Sequence, residues 1–246
     1  MARSAISVLI HTKGEKTFGK HPDVQRFMKG VFEMRPVFPR YQITWDINIL
    51  FNYFRKIPHQ KDLTFKVLGK KLAILIAVLA GGQRCQTIHS INALHIQVLN
   101  DKCIIPIYKT LKQTRVQSHL KPLEFKVYSK EPKLCIVDNL NSYLKKTGHL
   151  RKHSQLFLSM QKPHHPVSRD TISRWCKSIM TSAGIDTKKY TTHSSRSAAS
   201  SYAKAKGVSL EKVVEACGWS NEKTFARFYD KAILNGTNIG ESLLNG

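Results

Sequence analysis

Residues 192–229 read THSSRSAASSYAKAKGVSLEKVVEACGWSNEKTFARFY, and the punctuation of this stretch decides the fold. Thr192 is a candidate N-cap for a helix running to Gly207. Ser209 opens another, and Ser220 opens a last one that ends near Ile233. The C-terminal part is therefore a succession of short helices. His193 and Arg196 fall on one face of the first helical turn. Tyr229 closes the run Phe225-Ala226-Arg227-Phe228-Tyr229, which follows Gly218-Trp219.

Working outward, helical periodicity dominates upstream as well. Trp45, Ile47, Leu50, Phe51 and Phe54 recur at helical spacing behind a candidate N-cap, Thr44. A second helix runs from about Leu63 to Leu79 on a broad apolar face, and Gly81-Gly82 ends it. Leu134 to Leu144 is periodic and closes near Gly148. Ser168 caps a helix in which Ile172, Trp175, Ile179 and Ala183 share a face, with Gly184 as its stop. Between these helices the pattern changes. His95–Leu99, Cys103–Tyr108 and Leu123–Tyr128 are short β-rich runs, with a turn at Asn100-Asp101 and an edge position suggested by Pro106. A polar, basic connection from Lys109 to Lys121 separates the last two. The fold class is α+β, mostly helical, with one small antiparallel sheet rather than a doubly wound one.

Residues 1 to about 40 are punctuated by Gly14, Gly19, Pro22, Gly30, Pro36 and Pro39, and hold one short helix over Asp23 to Lys29. A boundary near Pro36–Tyr41 divides the chain into 1–40 and 41–246.

Forty Lys and Arg against sixteen Asp and Glu give a formal net charge of +24 over 246 residues. Self-repulsion on that scale points to a polyanionic partner, because each neutralised phosphate releases counterions. A surface charged only for solubility explains the excess less well, since it runs the whole length. A membrane surface is disfavoured by the lack of a basic amphipathic stretch or lipidation motif. The longest apolar run, Leu72–Ala80, is too short to span a bilayer. Ala5–Ile10 is apolar but is followed by no cleavage site. These features indicate an intracellular protein.

The cysteines (Cys85, Cys103, Cys135, Cys176 and Cys217) are scattered, which fits free thiols rather than a disulfide frame or a zinc site. His149/His153 and His164-His165 are the obvious metal candidates. They lack acidic or cysteine partners at ligand spacing and read better as solvated or phosphate-facing.

Chemistry-bearing residues appear in a fixed order. Gly82-Gln83-Arg84 sets an arginine just after an apolar helix. Leu111-Lys112-Gln113-Thr114-Arg115 offers a lysine between strands, and Lys109 is its alternative. Thr192-His193-Ser194-Ser195-Arg196 follows, then Trp219 with Thr224-Phe225 and Phe228-Tyr229. With these residues the chain resembles the tyrosine recombinase (phage-integrase-type) family, from roughly His21 to Lys231. It looks closest to the recombinases of DIRS-type retroelements. Each motif alone is weak, but the ordered set in a basic chain is specific.

The resemblance implies an integrase-like catalytic domain over 41–246, preceded over 1–40 by a truncated remnant of a core-binding domain and linker. It implies double-stranded DNA as partner, four protomers on two DNA sites, and site-specific recombination or integration of a mobile element. It also implies a nuclear location in a eukaryotic host, with no small-molecule substrate. Tyr229 would form a 3′-phosphotyrosyl link and release a 5′ hydroxyl. That link keeps the phosphodiester's energy, so no metal, ATP or other cofactor is implied. Arg84 and Arg196 would clamp the non-bridging oxygens with guanidinium forks that lysine cannot imitate. Losing one such donor typically costs about 10²–10³ in rate. His193 would serve as acid/base and Lys112 would protonate the leaving oxygen. Trp219 would donate its indole N–H and pack the helix bearing Tyr229; a plain core tryptophan fits it equally. Tyr190 and Tyr202 are competing tyrosines.

Two features depart from the family. Thr87 stands where many members carry an acidic residue, and few residues precede Trp45. The alternatives are a non-catalytic DNA-binding remnant and, less well supported, a type IB topoisomerase.

Overall fold

The helix Phe65–Leu79 organises the fold, and its sequence says why: ten of the positions from Leu68 to Val78 are buried, including the unbroken run Lys71–Val78. A helix apolar nearly all round has to lie inside its domain. The computed structural model describes residue 6 and residues 18–36, 41–111, 114, 120–219 and 221–233. They belong to two compact units, Met1–Arg40 and Tyr41–Gly246.

In the first unit, α1 spans Pro22–Met34, longer than the expected Asp23–Lys29. His21 caps it by accepting from the Asp23 N–H, and Pro22 occupies the first turn, where no N–H is needed. None of its residues is buried.

The second unit opens with strand β1 (Ile43–Thr44) and helix α2 (Ile47–Lys56). Asp46 caps α2, its Oδ1 accepting from the Asn48 N–H at 2.9 Å. Thr44, the expected cap, instead sits fully buried in β1. Helix α3 (Phe65–Leu79) is capped by Thr64 and stopped by Gly81 and Gly82, both at φ +79°. Helix α4 is a single turn, Cys85–His89.

Strands β2 (Gln97–Val98), β3 (Lys102–Ile105) and β4 (Leu123–Lys126) form the antiparallel sheet in the order β2-β3-β4. Cys103 pairs with Phe125 and Ile105 with Leu123, and all four side chains are buried. β3 is the central strand, so the edge position expected from Pro106 is wrong. Pro106 follows the last paired residue, where its missing N–H costs no ladder bond.

Helix α5 (Ile136–Thr147) and helix α6 (Arg169–Ser182) pack on α3. Ser168 caps α6 as expected, accepting from the Thr171 N–H at 3.2 Å. Helix α7 (Ser194–Ala205) also contacts α3 and is followed by α8 (Leu210–Cys217) and α9 (Glu222–Phe228). Two sequence expectations shift here. His193, not Thr192, is the N-cap of α7. Helix α9 is capped by Asn221 and stops at Phe228 rather than reaching Ile233, so Tyr229 is its C-cap residue. Ser220 lies outside the described residues.

The chain then forms β5 (Ala232–Ile233), which pairs in parallel with β1. This second, two-stranded sheet was not expected. The alternation that announces a strand needs more than two residues, so a pairing this short leaves no sequence pattern.

Candidate phosphodiester site

The catalytic candidates converge because two chain reversals meet at the start of α7. The Gly81-Gly82 turn brings the end of α3 against Arg196. A Cβ on Gly82 would lie 2.7 Å from the Arg196 Cα, so only glycine permits this approach. Arg84, on the same turn, occupies the N-cap position of α4 without a side-chain capping bond. Gly218, in the left-handed region at φ 63°, ends α8 and turns the chain toward Trp219 and α9.

Arg196 is almost completely buried. Its Nη1 donates to Gly82 O at 2.7 Å and its Nη2 to Cys217 O at 2.6 Å, which locks the guanidinium plane. That plane lies 4.8 Å from the Trp219 ring and 5.4 Å from the Tyr229 ring. Trp219 and Tyr229 stack at 4.5 Å with 28° between their planes. His193 Nε2 is 3.3 Å from the Tyr229 hydroxyl, within hydrogen-bond distance. A cleft of about 330 Å³ is lined by Arg84, Cys85, Arg169, His193 and Arg196 among others.

The electrostatics are one-sided. Among the described residues, no salt bridge reaches Arg84 or Arg196. Three buried N–H donors have no partner there: Arg84 Nη1, Arg196 Nε and Trp219 Nε1. Burial, and then the neighbouring charge of Arg84, lowers the Arg196 pKa; a guanidinium starts so high that it stays charged. Cys217 does not supply the missing anion. Burial pushes its thiol up to about 12 against the pull of Arg196 and Arg84, and it donates to Gly81 O. Thr87, where the resemblance led one to expect an acidic residue, is buried in α4 and carries no charge. A pair of arginines with unspent donors, and with no carboxylate paired to them among the described residues, is suited to hold a phosphate-like anion.

Of the sequence candidates, Arg84, His193, Arg196, Trp219 and Tyr229 are brought together. Lys112 lies outside the described residues. Lys109 is exposed, and after burial it is the main cause lowering the His89 imidazole in α4. The competing tyrosines are committed elsewhere: the Tyr190 hydroxyl donates to Ile43 O and that of Tyr202 to Asn48 Oδ1. His153 and His165 have rings 5.7 Å apart, while His164 bonds to Ser159 O. Among the described residues no group of three His, Cys, Asp or Glu is placed to hold a metal ion, and no helix is long and apolar enough to cross a membrane.

Sequence reasoning missed several supports of the site. The Ser201 Oγ donates to Tyr229 O at 2.9 Å and accepts from the Lys231 N–H at 3.1 Å. The buried Trp45 indole donates to Ser194 Oγ at 2.8 Å. Gly82 was legible only as a helix stop, and nothing in the pattern marks Ser201 or Trp45 as neighbours of the site.

Residues 64–233 match the model of the phage integrase family. The XerH site-specific recombinase, in a pre-cleavage complex with its difH substrate, superposes with a TM-score of 0.56 at 17% identity. That match covers 82% of this chain and 52% of XerH. XerA recombinase gives a TM-score of 0.55 at 16% identity, covering 90% of this chain and 70% of XerA. At such identities the likeness shows the fold alone, and this chain spans about half the length of XerH. No curated protein matches its sequence. With the family model matched across most of the chain, and the integrase-like fold in place around Arg84, His193, Arg196 and Tyr229, this chain belongs to the phage integrase family.

Proposed function

We propose that this chain cleaves and rejoins double-stranded DNA, with Tyr229 as the nucleophile. The observation that carries the reading is the pairing of Tyr229 with His193, 3.3 Å apart, beside two arginines that have no carboxylate partner among the described residues. The Tyr229 oxygen attacks the scissile phosphorus while His193 takes up its proton. The bond to the 5′ oxygen breaks, leaving a 3′-phosphotyrosyl link and a 5′ hydroxyl. A lysine of the Lys109–Lys121 connection, Lys112 or Lys109, gives that oxygen its proton. Arg84, Arg196 and the Trp219 indole meet the charge on the non-bridging oxygens, where such stabilisation is worth most. Rejoining is the reverse of these steps and draws on the energy kept in the link.

The finer reading is site-specific recombination or integration of a mobile element of the DIRS type, by four protomers on two DNA sites, in the nucleus of a eukaryotic host. The +24 charge supports DNA as partner, and the motif spelling supports the DIRS-type reading. The test is incubation with a pool of nicked duplexes that trap the covalent intermediate, followed by a denaturing gel. Wild type should give an adduct and Tyr229→Phe should give none. Salt-sensitive binding without an adduct would instead favour a DNA-binding chain that no longer cleaves.

A further inference from the structure

The short segment Tyr41–Trp45 touches the site from both sides. On one side it meets the start of α7. The Tyr41 ring packs edge-on against Tyr190 at 5.4 Å, and the Tyr190 hydroxyl donates to Ile43 O at 3.0 Å. Trp45, buried, donates from Nε1 to Ser194 Oγ, the residue next to His193. On the other side it meets the chain leaving Tyr229. Lys231 Nζ donates to Tyr41 O at 2.9 Å and lies 5.0 Å from the Tyr41 ring centroid. Ile43 and Thr44 then pair with Ala232 and Ile233.

A parallel pair of two-residue strands has almost no stability of its own. Its presence depends on the flanking ties, and those ties fall within three residues of His193 and two of Tyr229. Ser201 completes the loop by holding Tyr229 O and the Lys231 N–H from within α7.

We propose that Tyr41–Trp45 is a positioning strap: by joining the start of α7 to the chain after Tyr229, it sets the distance between His193 and Tyr229. The proposal rests on the reading of Tyr229 as nucleophile for its effect on rate, but not for its effect on geometry. Trp45, Lys231 and Ser201 are positioning residues, since they act through backbone and neighbouring side chains. Their effect is large because a misplacement of about 1 Å at a reacting group can cost roughly 10²-fold in rate.

The test compares wild type with Lys231→Met, Lys231→Arg and Trp45→Phe. Lys231→Met removes the bond to Tyr41 O and the cation over its ring, while Lys231→Arg keeps a donor and a cation. Trp45→Phe keeps an aromatic ring in the core but removes the N–H. The first readout is the nuclear Overhauser effect between the His193 and Tyr229 rings, whose centroids are 5.9 Å apart, in protein labelled at histidine and tyrosine. The second is the rate of covalent adduct formation at saturating nicked duplex, with DNA affinity measured separately.

The strap predicts that Lys231→Met and Trp45→Phe weaken the ring–ring signal and slow adduct formation roughly ten- to hundredfold. DNA affinity should stay within about twofold, and Lys231→Arg should restore both signal and rate. An unchanged ring–ring signal in Lys231→Met and Trp45→Phe overturns the proposal. So does a loss of DNA affinity that accounts for the whole loss of rate, which would mark Lys231 as a phosphate contact. If even wild type forms no adduct, the nucleophile assignment falls, and the ring–ring signal alone decides the strap.

Discussion

Arg196 Nη1 donates to the carbonyl oxygen of Gly82 at 2.7 Å, joining the turn after α3 to the first turn of α7. The same turn carries Arg84, so one hydrogen bond ties the Arg196 guanidinium to the backbone from which Arg84 projects. It requires glycine at 82 twice over, for the positive φ and for the missing Cβ.

Gly82→Ala should therefore damage the fold and the site together. A left-handed conformation alone costs an L-residue on the order of 1 kcal/mol. The overlap with the Arg196 backbone at 2.7 Å adds to that. Thermal unfolding should show a Tm lower by several degrees, since each kcal/mol moves a domain of this size by roughly 2–4 °C. An unchanged Tm would mean that the turn adjusts freely.

Replacing each arginine by lysine should separate catalysis from stability. Arg196→Lys leaves at least one of two buried carbonyls without a donor, at a cost of about 1–3 kcal/mol, and also loses the clamp. Arg84 Nη1 has no partner among the described residues, so Arg84→Lys should leave Tm nearly unchanged. Adduct formation should fall in both, by about 10²–10³. Paired thermal melts and cleavage assays check the split. Equal destabilisation by both changes would show that Arg84 also supports the fold.

Much of this was legible in the sequence, and the misses have physical causes. The long helices announced themselves through apolar periodicity and, for α6, through its cap Ser168; the Thr64 cap of α3 emerged only in the structure. The His193/Arg196 spacing and the Trp219-to-Tyr229 interval picked out residues that the fold brings together. The β1–β5 pair was not legible, because Ile43–Thr44 and Ala232–Ile233 are too short for alternation and meet only through tertiary ties. Pro106 misled because it ends a central strand rather than lying within an edge one. Lys71 was absorbed into an apolar face, since periodicity does not reveal one buried charge among many leucines and isoleucines. The role of Arg196 as a link between two backbone carbonyls depends on chain reversals that no local pattern encodes.

Lys71 supplies a prediction of its own. It is fully buried in α3, its Nζ has no hydrogen-bond partner among the described residues, and it lies 5.6 Å from the Phe54 ring centroid. Burial, and then repulsion from Lys133, lowers its pKa from 10.5 to about 8. Between those values the unfolded chain binds more protons than the folded one, so stability rises with pH through that window. Below about 8 the penalty is fully present, on the order of 3 kcal/mol. Lys71→Met should raise Tm at pH 7, and its advantage over wild type should shrink as the pH approaches 10. A gain that does not vary with pH would contradict a buried, charged lysine.

His193→Ala should leave the fold intact, because the side chain is exposed at the N-cap of α7 and makes no capping bond. Loss of its acid/base contribution should slow adduct formation by about 10²–10⁴. DNA affinity, measured by titration at fixed salt, should change little. A parallel loss of affinity would assign His193 to DNA binding rather than to the Tyr229 proton.

The central claim is that Tyr229 itself becomes joined to DNA. The most direct measurement traps the adduct on a nicked duplex, digests the protein and nucleic acid, and identifies by mass spectrometry the residue that carries the nucleotide. The account predicts a nucleotide on the phenolic oxygen of Tyr229. A nucleotide on Tyr190, Tyr202 or any other residue, or no adduct from protein bound to the same duplex, would contradict it.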